Sequence, residues 1–343
     1  MTLAAPTQAA TAAGLALGFG LDQLLGDPRH GHPVAGFGRV ATLLEQHTYA
    51  DRRGAGVLHL TLLVGATAGL GGVLASATRR RPALRLVVTA AATWSVLGGR
   101  SLQREAQAIA SQLGDGDLAA ARRQIRNLVG RDPAGLSAAE LARACVESVA
   151  ENTSDAVVAP LFWGAAAGLP GLLGYRAVNT LDAMVGHRSA RYRRFGWSAA
   201  RLDDLANWLP ARLSGLLTVL IAPLVGGRPA ASWQAWRRDA AQHPSPNAGV
   251  VEAAFAGALG VRLGGTNVYD GVAEDRGTLG GSRPVAVADI APAARLSLLV
   301  GTAAAGAATL ASLFSAHSWR AGRRPAGDTA PRRPRVVTSP VPR

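Results

Sequence analysis

Long apolar runs separated by polar segments are the dominant pattern along this chain. Six stretches are apolar enough to predict membrane helices, and they span residues 8–25, 57–77, 83–98, 156–174, 205–226 and 294–314. The runs 57–77 and 294–314 are the strongest, whereas 83–98 would be only about 24 Å long as a helix. None of these runs alternates apolar and polar residues as a membrane β-strand does. The pattern predicts a mainly α-helical, multi-pass integral membrane protein.

Two polar segments, about 99–155 and 227–290, interrupt the apolar runs and are predicted to form helical inserts. In the first insert, Glu140 follows Ser137 by three residues. This spacing is typical of a capping box, so a new helix is predicted to begin after Ser137. Residues 1–318 are predicted to form a single membrane-embedded domain. The Arg- and Pro-rich tail, 319–343, is predicted to be disordered and to lie on anionic lipid.

The distribution of arginine conflicts with a simple membrane topology. If 156–174 and 205–226 both crossed the membrane, the loop 175–204 would lie on the side opposite to both inserts. That loop contains six arginines, which favour the cytoplasmic side, and the first insert is basic as well. Pro160 and Pro170 interrupt the run 156–174. The run is therefore predicted to be re-entrant, or buried against other helices, instead of crossing fully.

Composition narrows the range of partners and reactions. Of the 343 residues, 48% are hydrophobic and 17% are charged, against about a quarter charged in a typical soluble domain. The net charge is +14 and all 36 basic residues are arginines, a usage that genome composition also explains. The absence of lysine excludes Schiff-base catalysis and a lysine-containing P-loop. No nucleic-acid-binding motif accompanies the positive charge, which favours anionic lipid or anionic substrates over nucleic acid.

Three acids at four-residue spacing, Glu147, Glu151 and Asp155, stand directly before the apolar run that starts at residue 156. On a helix they share one face and form an acidic stripe about 12 Å long. A solvated helix face is the ordinary interpretation of such a stripe. The amide of Asn152 and the neighbouring hydroxyls favour a second interpretation, because these groups and carboxylates suit Mg²⁺ that is bridged to substrate phosphates.

A cluster of acids, amides and arginines follows the apolar run. Its polar members are Asn179, Asp182, His187, Arg188, Arg191, Arg193, Arg194, Asp203, Asp204 and Asn207. Arginine clusters bind phosphate through paired hydrogen bonds, and acids nearby suit Mg²⁺. Each arginine alone is equally consistent with a topology anchor.

Two smaller clusters have a similar composition. One lies in a turn rich in glycine and proline and contains Asp27, His30 and His32, which are candidate metal ligands or ordinary turn residues. The other contains Asp239, His243, Ser245, Asn247 and Glu252. In it, Ser245 or Asn247 is predicted to cap the helix that carries Glu252.

Other reaction templates are absent from the sequence. There is no GxSxG, CxxC or HExxH motif, and the single cysteine, Cys145, excludes an intrachain disulfide. Asp203 and Asp204 lack the final acid of a DDxxD motif, because Asn207 stands there. The residues alone therefore predict a multi-spanning protein with an acidic, arginine-rich site for anionic, phosphorylated substrates.

Several long blocks resemble, in order and spacing, the adenosylcobinamide-phosphate synthase family of cobalamin biosynthesis. The first block is DQLLGDPRHGHPV at 22–34, and the others are 147–163, 175–186, 203–213, 243–265 and 267–271. The resemblance covers about 1–315, and arginines stand here where the family usually has lysines in its basic loops.

The resemblance implies a multi-pass enzyme of the cell membrane with its active site on the cytoplasmic side. Such enzymes join the remaining propionate of adenosylcobyric acid to aminopropanol phosphate in an amide ligation that uses ATP and Mg²⁺. Some relatives accept free aminopropanol or ethanolamine derivatives. Membrane lipid and other cobalamin-biosynthesis enzymes are further expected partners.

Residue chemistry on these family-like blocks assigns hypotheses to individual side chains. Mg²⁺ binding or orientation of the amine is assigned to Glu147, Glu151 and Asp155, with Asp182, Asp203 and Asp204 as rival metal ligands. Phosphate binding is assigned to Arg188, Arg191 and Arg194. The remaining substrate-binding candidates are Asn152, His187, His243, Ser245, Asn247 and Glu252.

Two alternatives to a ligase remain open at this point. A corrinoid or metabolite permease, or a membrane scaffold for soluble biosynthetic enzymes, would also combine polar residues with apolar segments. A permease should bury its acids in the middle of a span, whereas these acids lie at segment edges and in the inserts. A lipid or prenyl transferase is weakened by the incomplete acid motif.

Overall fold

The chain folds into packed helices with one β-hairpin. The computed structural model describes residues 4–28, 31–130, 132–187, 189–269 and 272–321. The described helices are α1 (Ala4–Leu25), α2 (Pro33–Thr48), α3 (Arg53–Ala77), α4 (Pro82–Val96), α5 (Gly99–Gly114), α6 (Leu118–Ile125), α7 (Ala138–Thr153), α8 (Ala159–Leu181), α9 (Tyr192–Phe195), α10 (Trp197–Ala206), α11 (Trp208–Ile221), α12 (Pro229–Asp239), α13 (Ala248–Leu259) and α14 (Ile290–Ala321). The strands are β1 (Arg262–Tyr269) and β2 (Val272–Gly280).

Apolar helices long enough to cross a bilayer confirm the prediction of a mainly helical, multi-pass membrane protein. Within the described ranges, four segments meet both conditions of length and hydropathy: Arg53–Ala77, Ala138–Gly186, Trp208–Val225 and Val287–Phe314. Helices α1 and α4 also form at predicted positions, but α4 has 15 residues and is about 22 Å long. The predicted run 205–226 is divided, because α10 ends at Ala206 and α11 begins at Trp208.

Small residues let α1 and α4 pack closely. A Cβ atom added at Gly14 would lie 2.6 Å from Thr89 Cβ, and one added at Gly18 would lie 2.4 Å from Thr93 Cβ. Glycines four residues apart that admit a neighbouring helix are typical of helix pairs in membranes. Any larger side chain at either glycine would force the two helices apart.

The apolar run 156–174 does not form one straight helix. Gly168 has φ 62° and ψ −149°, a conformation that side chains strongly disfavour. A Cβ atom at Gly164 would lie 3.8 Å from Leu172 Cβ, whereas residues eight apart in a straight helix are about 12 Å apart. The chain therefore folds back at Gly168, and α8 is a helical hairpin with a short first arm and a longer second arm. The run 156–174 is thus interrupted, and its re-entrant placement in the membrane stays a prediction.

Helix α3 runs alongside this hairpin and gives the bundle two distinguishable ends. Gly56 lies against the backbone of Phe195, and a Cβ atom at Gly71 would lie 2.7 Å from the backbone of Pro170, next to the fold-back. We call the end of the bundle at Arg53 the site end and the end at Ala77 the turn end. Both arms of the α8 hairpin open toward the site end. The loop that follows α8 therefore returns to the side from which α7 entered, which removes the conflict between that loop and the first insert.

The first insert is helical as predicted, and its core is continuous with the rest of the protein. Ser137 and Glu140 form the predicted capping box, with the Ser137 N–H donating to Glu140 Oε2 at 2.8 Å. Buried Leu102, Ile109 and Leu141 belong to the same hydrophobic cluster as α13 and α14.

The second insert is only partly helical, which corrects the prediction of an all-helical insert. Strands β1 and β2 pair antiparallel, with Arg262 opposite Gly280, and the register shifts between Gly264 and Thr266. Glycines with positive φ, including Gly264 at 79°, permit this irregular backbone. The predicted tail lies outside the described residues from position 322 onward, and α14 includes its first three positions.

Candidate active site

The fold-back at Gly168 brings acids from distant segments together at the site end. Asp155 precedes the first arm of the hairpin and Asp182 follows the second, and each begins or lies within a π-helical turn. Asp155 interacts electrostatically with Asp182, Asp203 and Glu151, and Asp182 interacts with Asp204. We call these five residues, Glu151, Asp155, Asp182, Asp203 and Asp204, the acid cluster. π-Helical turns occur frequently at functional sites, where they re-aim side chains.

The acidic stripe on α7 does not face bulk water. Glu147 is 4% exposed, and both Glu151 and Asp155 are half-buried. Glu151 interacts electrostatically with Arg276 of β2 and with Glu147. The interpretation of this stripe as a solvated helix face is therefore wrong.

Asp203 on α10 is held in a defined orientation within the acid cluster. Asn207 Nδ2 donates to Asp203 Oδ2 at 2.9 Å, and Asn179 Nδ2 donates to Asp203 Oδ1 at 3.4 Å. The pKa of Asp203 is nevertheless raised to about 7. Burial is the main cause of this shift, and the negative charge of Asp182 is the second. The cluster thus carries more negative charge than its surroundings stabilise, which is the electrostatic condition that a bound cation relieves.

A tyrosine connects the two walls of the cluster. The Tyr175 hydroxyl lies 2.8 Å from Asn207 Oδ1 and 3.1 Å from the carbonyl oxygen of Asp155. Asn207 is 1% exposed and also donates to Asp203. This buried network fixes the backbone at Asp155 relative to α10, so the acids are positioned before any substrate binds.

Glu147 makes a structural contact to the β-hairpin. The Gly264 N–H donates to Glu147 Oε1 at 2.9 Å in a buried environment, and Arg143 Nη1 lies 3.7 Å from the same oxygen. Two more contacts fix the hairpin to the end of α12: the Gly280 N–H donates to Asp239 Oδ2 at 2.9 Å, and the Thr278 N–H donates to Gln242 Oε1 at 3.2 Å. These hydrogen bonds attach the base of the hairpin to α7 and α12.

The attached hairpin places Arg276 between two carboxylates. Arg276 Nη1 lies 3.7 Å from Glu252 Oε1, and Arg276 also interacts with Glu151 of the acid cluster. His243 Nε2 lies 3.5 Å from the same oxygen of Glu252, which is completely buried. On the other side of the ring, His243 Nδ1 contacts the backbone of Ser245, 3.0 Å from its nitrogen and 3.2 Å from its carbonyl oxygen.

The charge state of His243 follows from its position. The pKa of His243 is lowered to about 4, mainly by burial of the ring and secondly by the positive charge of Arg276. The ring is therefore neutral near pH 7, and its two nitrogens are both directed at protein atoms. The neutral ring therefore stands between Ser245 and the buried carboxyl group of Glu252.

The N-terminal Asp-His cluster reaches the site through an arginine. Arg176, on the second arm of α8, interacts electrostatically with both Asp27 and Asp155. His32 Nδ1 accepts from the Val34 N–H at 3.2 Å as the cap of α2, and its Nε2 lies 3.7 Å from Asp27 Oδ1. His32 is thus a turn residue paired with an acid. His30, the other candidate in this turn, lies outside the described residues.

The two described candidates for phosphate binding, Arg191 and Arg194, pair with acids that do not belong to the acid cluster. Arg191 Nη2 lies 2.8 Å from Glu45 Oε1, and its guanidinium stacks 4.0 Å from the Tyr49 ring. Arg194 Nη1 lies 3.6 Å from Asp51 Oδ2. Arg188 lies outside the described residues, and phosphate binding by these arginines stays a prediction.

The other substrate-binding candidates make local contacts. His187 packs edge-on against Tyr192, with 5.0 Å between ring centroids. Asn152 Nδ2 donates to the Ser148 carbonyl at 2.9 Å. The Ser245 hydroxyl accepts from the Ala248 N–H at 3.2 Å, whereas the N-cap residue of α13 is Asn247, whose side chain makes no capping hydrogen bond.

Asn247 contacts the acid cluster directly. Its Nδ2 donates to the Asp204 carbonyl at 2.7 Å, and its Oδ1 accepts from Arg212 Nη1 at 2.7 Å. Asn247 therefore joins the start of α13 to α10 and α11.

The acid cluster does not form a preformed metal cage. Across the part of the chain that is described, no group of three or more His, Cys, Asp or Glu side chains is arranged to hold a metal ion. Mg²⁺ commonly uses one or two carboxylates together with substrate phosphates and water. The donor set fits that mode of binding, with Asp155, Asp182 and Asp203 as the residues able to supply oxygens.

Two arginines that interact electrostatically with the acids, Arg176 and Arg276, were not predicted from the sequence as site residues. Arg176 stands inside a block that was singled out, next to Tyr175, but nothing in the spacing distinguishes it from the other arginines. Arg276 comes from a hairpin that was not predicted, and its contact with Glu151 spans 125 positions. Only the tertiary fold identifies it.

Comparisons with known proteins agree with this architecture. A family described as CobD/Cbib protein matches residues 15–297. The cobalamin biosynthesis protein CobD of Mycobacterium tuberculosis (strain ATCC 25618 / H37Rv) is 54% identical over 312 residues, which cover 90% of this chain and 97% of that protein. No solved structure matches the chain.

More distant relatives carry the same description. CobD of Geobacter metallireducens is 50% identical over 265 residues, covering 76% of this chain and 83% of its own. CobD of Rhodobacter capsulatus is 43% identical over 284 residues, covering 80% and 88%. By the extent of these matches, the chain belongs to the CobD/Cbib family of cobalamin biosynthesis proteins.

Proposed function

We propose that this protein ligates the propionate carboxylate of adenosylcobyric acid to the amine of aminopropanol phosphate, in a reaction that consumes ATP. The observation that carries the proposal is the convergence of the acid cluster with Arg176 and Arg276 at one end of the bundle. Acids that hold Mg²⁺ and arginines that hold phosphate oxygens are the two groups that such a reaction needs. Membership in a cobalamin-biosynthesis family supports the corrinoid substrate.

The chemistry proceeds by activating a poor electrophile. The carboxylate attacks the terminal phosphate of ATP and forms an acyl phosphate, and the bond to ADP breaks. The ammonium group of the amino-alcohol loses one proton to the protein or solvent, and the resulting amine attacks the acyl carbon. Inorganic phosphate leaves, and the nitrogen loses a second proton as the amide forms, keeping one N–H. When bound, Mg²⁺ neutralises charge on the phosphate oxygens.

Individual residues of the site have separate roles in this proposal. Asp155, Asp182 and Asp203 would supply oxygens to Mg²⁺, and Glu151 would attract the ammonium group of the amino-alcohol and accept its proton. Arg176 and Arg276 would bind phosphate oxygens. Glu147 and His243 would hold the hairpin and Glu252 in place, as positioning residues.

The position of the acids favours catalysis over transport. The acid cluster lies at the site end of the bundle, where Asp155 and Asp182 stand at the ends of the two arms of α8, and the proposal has ATP enter from this end. A permease would need its polar residues along the length of the spans. We place the site end on the cytoplasmic side because ATP is available there. Charge bias alone does not decide the orientation, since arginines stand near both ends of α3.

The proposal is tested with protein purified in detergent and shown to be folded by its thermal transition. Incubation with Mg-ATP, adenosylcobyric acid and aminopropanol phosphate should yield adenosylcobinamide phosphate and one nucleotide product per amide formed. Free aminopropanol and ethanolamine phosphate in parallel reactions identify the preferred amine. Folded protein that forms no amide and hydrolyses no nucleotide, but binds adenosylcobyric acid, would support the permease or scaffold alternative instead.

A further inference from the structure

A basic turn lies at the end of the bundle opposite to the acid cluster. Arg79, Arg80 and Arg81 follow the end of α3, and all three are exposed. Pro82 then starts α4, and Arg85 follows one turn later. We call Arg79, Arg80 and Arg81 the arginine turn. Helix α3 has 25 residues and is about 37 Å long, which separates this turn from the site end by roughly the thickness of a membrane.

The described part of the chain does not balance the positive charge of this turn. The sequence contains no acidic residue between Asp51 and Glu105. Among the residues that the structure describes, no carboxylate lies within ion-pairing distance of the three guanidinium groups. Arg85 is half-buried, and its Nε atom is buried without a hydrogen-bond partner. These guanidinium groups are therefore solvated or bind an anion from outside the described part of the chain.

The surroundings of the turn identify the class of anion. Exposed apolar side chains flank it on both helices, with Val73 65% exposed on α3 and Val87 59% exposed on α4. These exposed apolar faces suit contact with lipid acyl chains. The arginine turn connects the ends of the two helices, so it lies at the depth of the lipid headgroups. The hydroxyl of Thr7 on α1 donates to the Arg79 carbonyl at 3.0 Å, so the turn is held to a third helix.

We propose that the arginine turn binds the phosphate groups of anionic phospholipids at the membrane face opposite to the acid cluster. Arginine forms paired hydrogen bonds with phosphate. Each basic residue near an anionic bilayer surface raises the binding constant roughly fivefold. The lipid anchors α3 and α4, which pack against α8 and α1. This role is independent of the reaction catalysed at the site end.

The test compares lipid binding by full-length protein in which the turn is neutralised. The variant carries Arg79→Gln, Arg80→Gln and Arg81→Gln. A matched control removes the same charge from three exposed arginines elsewhere, with Arg123→Gln, Arg228→Gln and Arg262→Gln. A third variant, with lysine at the three turn positions, keeps the charge. Native mass spectrometry in detergent measures the dissociation constants of phosphatidylglycerol and of phosphatidylcholine.

We expect native protein and the control to bind phosphatidylglycerol at least about tenfold more tightly than the glutamine variant, with phosphatidylcholine binding unchanged in all. The lysine variant should retain most of the preference. Equal phosphatidylglycerol affinity in native protein and the glutamine variant would overturn the proposal. Competition of the lipid by inorganic phosphate at equal concentration would also overturn it, because the ligand would then be a soluble anion.

Discussion

The backbone N–H of Gly264 donates a buried hydrogen bond of 2.9 Å to the carboxylate of Glu147, 117 positions earlier in the chain. This bond joins α7, which carries the acidic stripe, to the hairpin that carries Arg276. We therefore infer that Glu147, the first acid of the stripe, positions the hairpin. The acids beyond it, Glu151 and Asp155, face the other charged groups of the site.

Replacing Glu147 should therefore affect stability more than chemistry. Glu147→Ala leaves the Gly264 N–H buried without an acceptor and should lower the free energy of unfolding by about 1–3 kcal/mol. Glu147→Gln keeps an oxygen acceptor and should cost about 1 kcal/mol or less. The thermal transition of detergent-purified protein measures both. A larger loss in Glu147→Gln than in Glu147→Ala would contradict the positioning role.

Acids of the cluster should control turnover and its response to Mg²⁺. Glu151→Gln and Asp203→Asn each remove a charge that the proposed reaction uses, and each should lower kcat by about 100-fold or more. Asp203→Asn should also raise the Mg²⁺ concentration needed for half-maximal rate. Asp132→Asn is the matched control, because it changes an exposed acid that pairs with Arg126 and accepts from the Ala134 N–H. Full turnover and unchanged Mg²⁺ dependence in Glu151→Gln would remove that residue from the mechanism.

Acid pH should destabilise the protein through His243. The folded pKa, about 4, is lower than the ordinary value of 6.5. Between these two values the unfolded chain binds a proton that the folded protein does not, so stability falls as pH decreases through this window. By pH 5 the loss from this group is roughly 2 kcal/mol.

Asp203 acts in the opposite direction in this window, because its raised pKa of about 7 makes the folded protein bind a proton that the unfolded chain does not. The effect of His243 is therefore measured as a difference between variants in the change of thermal midpoint from pH 7.5 to pH 5. On this acidification the midpoint of His243→Gln should fall less, or rise more, than that of native protein, while His47→Gln, at an exposed position, should behave like the native protein. If the thermal midpoint of His243→Gln depended on pH in the same way as that of native protein, the pH dependence would come from other groups.

The fold-back at Gly168 should be sensitive to a single methyl group. Gly168→Ala places a side chain at φ 62° and ψ −149°, at a cost of about 1–3 kcal/mol. Because the same turn brings Asp155 beside Asp182, turnover should fall along with stability. Gly69→Ala on α3, where an added Cβ atom meets no neighbour, should leave both unchanged. If Gly168→Ala lowered stability and turnover no more than Gly69→Ala does, the conformation at Gly168 would not be needed for either property.

The two ends of α3 should be accessible from opposite sides of the membrane. Cys145 is buried and is the single cysteine, so a Cys145→Ala background permits labelling at chosen positions. Arg52→Cys at the site end should react with an impermeant maleimide in inside-out vesicles, and Arg80→Cys at the turn end should react in intact cells. Labelling of both positions from one side would contradict the assignment of α3 as a membrane-crossing helix.

Sequence patterns were sufficient for the features that depend on neighbouring residues. Apolar runs predicted α3 and α14, the Ser137–Glu140 spacing predicted the start of α7, and two prolines predicted the interruption of 156–174. Each of these rests on local rules, namely hydropathy, capping and backbone restriction, which act within a few residues. The same patterns gave the acids as candidates because carboxylates at four-residue spacing share a helix face.

Assembly of the site was decided by contacts between distant segments. The sequence by itself determined that acids stand at positions 147, 151 and 155, and that the chain is helical and apolar. The fold-back geometry at Gly168 decided that Asp155 meets Asp182, and the hairpin decided that Glu147 binds a backbone N–H while Arg276 reaches Glu151. A residue's role follows from the charges and hydrogen-bond partners around it. Those partners lie as far as 149 positions away, the separation between Asp27 and Arg176, which is beyond the range of any local pattern.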